Sequence, residues 1–112
     1  MERLSKKIMI MNVENKINEK PEILLSVVMP VHNGEKYLRK AIESVLSQTY
    51  AHFEYIIVND GSKDNSEIII KEFQQHDSRI RYIKLERNSG ISNALNVGIK
   101  ASQGEYIVRM DC

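Results

Sequence analysis

Two carboxylates stand where an α/β protein can use them. Asp60 ends the apolar run Tyr55-Ile56-Ile57-Val58 after a single asparagine, and Asp111 ends Tyr106-Ile107-Val108-Arg109-Met110. In an open parallel sheet, ligands enter the crevice beyond the carboxyl ends of the strands, so both acids are placed to meet one. A third apolar run, Ile23 to Met29, delivers the loop Pro30-Val31-His32-Asn33-Gly34-Glu35. If the first strand lies between the second and the fourth, Asp60 and Asp111 flank one crevice with the Pro30 loop as its floor. Such a pocket suits a nucleotide. One carboxylate can accept from a base imide or a ribose hydroxyl, and the other can hold Mg²⁺ or Mn²⁺ on a diphosphate. Taken alone, Asp60-Gly61 needs no more explanation than a turn.

The elements that must carry these groups follow from periodicity. Ile23 to Met29 has no polar alternation except Ser26, as expected of a strand covered on both faces, and Pro30 is expected to stop it. Asn33 is a candidate N-cap for a helix from about Gly34 to Ser47, in which Tyr37, Leu38, Ala41, Ile42, Val45 and Leu46 recur at helical spacing. A central strand, about Phe53 to Val58, leads into Asn59-Asp60-Gly61-Ser62. Asp64 and Glu67 have capping-box spacing for a helix reaching about Gln75. Ile80 to Leu85, interrupted by Arg81 and Lys84, predicts an edge strand with one wet side, and Arg87-Asn88-Ser89-Gly90 follows as a loop. A third helix, about Gly90 to Ser102, carries Gly98 on its apolar stripe, and Gly104 is expected to stop it in a left-handed conformation. Four strands thus alternate with three helices, which predicts a Rossmann-like α/β fold with a mostly parallel sheet and right-handed crossovers.

Composition narrows the classes. The chain has 112 residues, enough for one domain, and a formal net charge of +1, which leaves no electrostatic footprint for nucleic acid or an anionic membrane. The single cysteine, Cys112, rules out an intrachain disulfide and fits a reducing compartment. Lys6-Lys7 followed by Ile8 to Met11 begins like a signal peptide, but that apolar run is too short for one or for a membrane span. Residues 1–22 therefore read as a polar extension, and residues 23–112 as the folded unit. The Pro30 loop contains neither G-x-G-x-x-G nor G-x-x-x-x-G-K-[ST], so it lacks the phosphate cradles of dinucleotide-binding and P-loop proteins.

The segments Ser26 to Glu35, Ala41 to Tyr50 and Val58-Asn59-Asp60-Gly61-Ser62 resemble, in order and with little gapping, the amino-terminal half of family 2 glycosyltransferases. Asn88-Ser89-Gly90, Ala94 to Gly98 and Gly104 to Asp111 continue the likeness. The resemblance implies a fold of the GT-A type and the nucleotide-sugar-binding half of an inverting transferase. Such an enzyme moves a sugar from a nucleoside diphosphate donor, UDP-type here, to an acceptor hydroxyl of a saccharide. It further implies donor-binding roles for Pro30, Val31, His32, Asn33, Glu35, Asp60, Gly61, Ser62, Asn88, Gly90 and Asp111, and bacterial cell-surface polysaccharide synthesis or protein glycosylation as the setting. Asp111 matches the first aspartate of the family's D-x-D motif, whose metal is Mg²⁺ or Mn²⁺; Cys112 takes the middle place, and the principal metal ligand would come next.

On that reading the ligand set within residues 1–112 is incomplete, and no residue here substitutes for the general base of the inverting step. The chain is expected to be silent as a catalyst by itself, and to self-associate through an open sheet edge. A cytoplasmic location is expected, at the inner face of the membrane for a longer protein. The competing reading is a non-catalytic Rossmann-like module that binds a nucleotide or a partner chain.

Overall fold

The computed structural model describes residues 23–112, so the polar extension expected over residues 1–22 lies outside the described residues. The elements are β1 (Leu25–Val31), α1 (Glu35–Leu46), β2 (Phe53–Asp60), α2 (Ser66–His76), β3 (Ile80–Leu85), α3 (Ile91–Ala101) and β4 (Tyr106–Arg109). All pairings are parallel and the strand order is β3-β2-β1-β4, which puts β1 between β2 and β4.

The two faces of the sheet are covered unequally. Val27, Met29, Tyr55 and Ile57 pack under α1 and α2 against Leu38, Ile42, Val45, Ile69 and Ile70. Val28, Ile56 and Val58, the alternate residues of the same strands, meet Ala94 of α3 on the other face. Burial on both sides explains why β1 and β2 read as continuous apolar runs. A side chain at Gly98 would collide with Val28 Cγ1, so glycine lets α3 lie directly on β1.

Five expectations are corrected. Pro30 does not end β1: it pairs in register with Val58, and the strand runs on to Val31. The Leu25 N–H points toward β2, and the Val28 carbonyl accepts from Met110 on the β4 side. Residues of even number in β1 therefore turn their amides toward β4. The amide that Pro30 lacks would face the β4 side, where the ladder ends at Val28, so the proline costs β1 no bond to β2. Asn33 is not an N-cap. Gly34 holds that place, while Asn33 has a positive φ of 49°. Asp64 and Glu67 do not form a capping box; Asp64 accepts from the Ser66 and Glu35 amides, and Glu67 bonds Tyr82. Gly104 is not left-handed. It is required because a Cβ there would lie 2.6 Å from Ser26 Oγ and 2.8 Å from the Leu24 carbonyl. Arg81, expected only to solvate β3, instead reaches across the sheet to an acid.

That acid, Glu54, anchors the end of the sheet opposite the loops described below. Its buried carboxylate accepts from Ser26 Oγ (2.5 Å), the Gln103 N–H (2.5 Å) and Arg81 Nη1 (2.6 Å), while Ser26 Oγ accepts from the Gly104 N–H (2.8 Å). Burial works against ionisation, but these hydrogen bonds outweigh it and hold the Glu54 carboxyl below its ordinary range.

Candidate functional site

The strand order brings four loops to one end. The turns after β1, β2 and β3 and the residues after β4 enclose a cleft of about 380 Å³ lined by Pro30, Val31, His32, Gly34, Asp60, Asn88, Gly90, Ile91, Asp111 and Cys112. Seven of the eleven expected donor-binding residues are on that lining: Pro30, Val31, His32, Asp60, Asn88, Gly90 and Asp111. Asn33, Glu35, Gly61 and Ser62 are not, and each instead holds loops together.

Asp60 is 2% exposed, and its carboxylate is largely occupied by the β3–α3 loop. Oδ1 accepts from the Ser89 N–H and Ser89 Oγ, both at 2.8 Å, and Oδ2 accepts from the Gly90 N–H at 3.0 Å. The acid therefore clamps the loop that forms one wall of the cleft. Gly61 makes this approach feasible: it has φ +65°, and a Cβ there would lie 2.5 Å from the Arg87 carbonyl carbon.

His32 joins three loops. Its Nδ1 lies 2.8 Å from the Asp60 carbonyl oxygen, which can only accept, so Nδ1 carries the proton. Nε2 then accepts from the side-chain amides of Asn33 and Asn88, each at 3.3 Å. Neither amide can turn over without loss, because Asn33 Oδ1 accepts from the Lys63 N–H and Asn88 Oδ1 from the Gly90 N–H.

Glu35 and Asp64 cap each other's helices. The Glu35 N–H donates to Asp64 Oδ2 (3.1 Å), while Glu35 Oε1 and Oε2 accept from the Asn65 backbone and side chain. Carboxylates at both helix N-termini complement the helix dipoles. Burial opposes ionisation of Asp64, but its bonds to Ser66 and to the Glu35 N–H keep its carboxyl below the usual range.

Asp111 lies in the cleft with Arg109 Nε donating to its Oδ1 at 3.0 Å. Among the described residues no group of three or more His, Cys, Asp or Glu could hold a metal ion. Asp60 is occupied by Ser89 and Gly90, which leaves Asp111 as the carboxylate most accessible to a cation. The residues present do not by themselves fit a divalent site, which needs several fixed oxygens.

Sequence reasoning missed the clamp between Asp60 and Ser89-Gly90, and it missed Gly34, Ile91 and Cys112 as lining. Ile91 carried a usable signal: a large apolar residue directly after Asn88-Ser89-Gly90, 55% exposed at a helix start, makes an apolar wall beside polar ones. The bonds between loops carried none, since they join residues from 28 to 56 positions apart.

Comparison with known proteins agrees with this architecture. Residues 26–112 match the family described as Glycosyl transferase family 2. The chain is 46% identical over 87 residues to glycosyltransferase GlyA of Streptococcus pneumoniae, covering 78% of this chain and 12% of that protein. It is 44% identical over 88 residues to glycosyltransferase GlyG of the same organism, covering 79% of this chain and 29% of that protein. The chain thus spans less than a third of the length of either relative. Among solved structures, S. aureus TarS in complex with UDP-GlcNAc superposes with a TM-score of 0.75 at 29% identity, over 80% of this chain and 26% of that one. TarS has also been solved with UDP.

Proposed function

Because the chain belongs to glycosyl transferase family 2, we propose that its cleft receives the nucleotide of a UDP-type sugar donor, as the donor-binding part of an inverting glycosyltransferase. One observation carries this reading: four strand ends converge on a cleft of about 380 Å³, large enough for a nucleotide, with Asp60 and Asp111 both on its lining. The parallel sheet with helices on both faces is that of the GT-A type, as in TarS.

The lining divides the work. Val31 and Ile91 give apolar surface for the base, and the Pro30–His32 backbone with the Asn88 amide gives neutral polar groups for base and ribose. Asp60 holds the Asn88 wall in place, and its Oδ2, with one N–H partner, keeps a lone pair for a ligand N–H or O–H. A divalent cation, when bound in the complete enzyme, neutralises diphosphate charge. Asp111 would offer one oxygen to such a cation, and the diphosphate of the donor would offer others. With Asp60 committed to the wall and Asp111 paired to Arg109, no described side chain in the cleft is a free base for an acceptor hydroxyl. The segment alone binds donor and does not transfer. The acceptor site and a cytoplasmic setting belong to the longer protein of the same proposal.

Isothermal titration of the chain with UDP, uridine and UDP-GlcNAc, each with and without Mn²⁺, tests this. Saturable binding of UDP, weaker for uridine, is expected. No heat from UDP at millimolar concentration, with or without metal, would overturn the proposal.

A further inference from the structure

We propose that Tyr82, on the edge strand and outside the cleft, is a positioning residue for the nucleotide site: with Glu67 it orients the Asn59 amide and, through it, the His32–Asn33 loop. The inference rests on the proposed donor site for its functional consequence, but its structural content stands on hydrogen-bond polarity.

An ionised carboxylate only accepts, so the Tyr82 hydroxyl donates to Glu67 Oε2 (2.8 Å), and its oxygen accepts from Asn59 Nδ2 (2.9 Å). With Nδ2 fixed, Asn59 Oδ1 faces the Ser62 N–H at 3.1 Å. Ser62 Oγ in turn accepts from the Asn33 N–H at 2.9 Å, which holds Asn33 at its positive φ. Asn33 then directs Nδ2 at His32 Nε2, and His32 Nδ1 returns to the Asp60 carbonyl, one residue from where the chain of bonds began. Each bond has one permitted direction: the Glu67 carboxylate, at the outer end, sets it at the Tyr82 hydroxyl, the Ser62, Asn33 and Lys63 N–H groups set it along the loops, and the Asp60 carbonyl sets it at His32.

Two features keep that end in the required state. Lys84 Nζ (3.5 Å) and Lys71 Nζ (3.8 Å) flank Glu67, and the Tyr82 hydrogen bond, with these charges, holds the Glu67 carboxyl below its ordinary range. Burial, together with the Glu67 charge, pushes the Tyr82 hydroxyl up to about 12, so it keeps its proton at neutral pH. Asn59 is 2% exposed, so water does not substitute freely for a lost partner.

Tyr82→Phe leaves the ring and removes the hydroxyl. The Asn59 amide is then held by the Ser62 N–H alone, and its Nδ2 is left without a partner in a 2% exposed position, which loosens the Asn59–Ser62 bond. Adding Asn59→Asp removes the unpartnered donor, and either carboxylate oxygen accepts from Ser62. The expected pattern is a roughly threefold to tenfold loss of UDP affinity in Tyr82→Phe, the scale of one hydrogen bond. Recovery is expected in Tyr82→Phe/Asn59→Asp, although that variant melts no higher than Tyr82→Phe. In the ligand-free protein, the Ser62 and Asn33 amides should show wild-type ¹⁵N shifts and exchange protection in the double variant and should shift and lose protection in Tyr82→Phe, while His32, held by the Asp60 carbonyl, keeps its Nδ1-protonated tautomer. If Tyr82→Phe does not fold, Glu67→Ala, a change on the solvent side of α2, should produce the same loss of protection. Unchanged Ser62 and Asn33 amides in the single variants, or a loss that Asn59→Asp does not restore, overturns the proposal. If wild type does not bind UDP, the donor reading fails while the amide spectra still decide the relay.

Discussion

Replacing Asp60 by asparagine changes one heavy atom and tests what holds the cleft wall. The carboxylate accepts three hydrogen bonds from Ser89 and Gly90 at 2.8 to 3.0 Å in a 2% exposed position. In Asp60→Asn the amide oxygen can serve Ser89, but the NH₂ group then opposes the Gly90 N–H, donor to donor. A hydrogen bond to a charged group contributes about 1.5–3 kcal/mol, so the loss should be about 2 kcal/mol. For a domain of this size that lowers Tm by roughly 10 °C. Asp111→Asn provides the contrast. Its pair with Arg109 is solvent-exposed, and its removal should cost less than about 1 kcal/mol. Thermal unfolding followed by circular dichroism gives both numbers, and amide hydrogen exchange localises the damage. In Asp60→Asn the Ser89 and Gly90 amides should lose protection while those of β1 keep it. An Asp60→Asn protein that melts within about 2 °C of wild type, with Ser89 and Gly90 still protected, would refute the clamp.

Gly61→Ala should be more damaging than a typical glycine substitution. The left-handed φ costs about 1–2 kcal/mol for a residue with a Cβ, and the Cβ would also press on the Arg87–Asn88 backbone, so urea unfolding should show a loss above about 3 kcal/mol. Glu54 should make stability pH-dependent. Its folded carboxyl titrates below the ordinary value of 4.5, so its contribution is present above that pH and is lost as pH falls through the lower, folded value. A Glu54→Gln protein should be less stable at pH 7, and the gap should narrow as the pH falls below 4.5, as measured by urea midpoints across pH 2.5–7.

The order and type of the elements were legible because each strand of the pair β1 and β2 is buried on both faces and each helix carries one apolar stripe. The edge position of β3 was legible from Arg81 and Lys84. The two carboxylates at strand ends were also readable, since parallel topology places the carboxyl ends of all strands together. What each carboxylate touches was not. Asp60 meets Ser89 and Gly90 only because β3 returns beside β2, and Asp64 accepts from the first amide of α1 as well as of α2 while Glu35 accepts from Asn65 before α2. Asn33 looked like a cap by residue type, yet its conformation is set by Ser62 and Lys63 from the neighbouring loop. The Glu54–Arg81 pair spans 27 positions, so local pattern assigned Arg81 to solvent.

The most direct test of the nucleotide-site assignment is amide chemical-shift mapping of the ¹⁵N-labelled chain during titration with UDP. Perturbations should cluster at residues 31–34, 60–62, 88–91 and 111–112, with the α1–α2 face unchanged. Perturbations absent at saturating UDP, or confined to α1, α2 or the Glu54 end of the sheet, would contradict it.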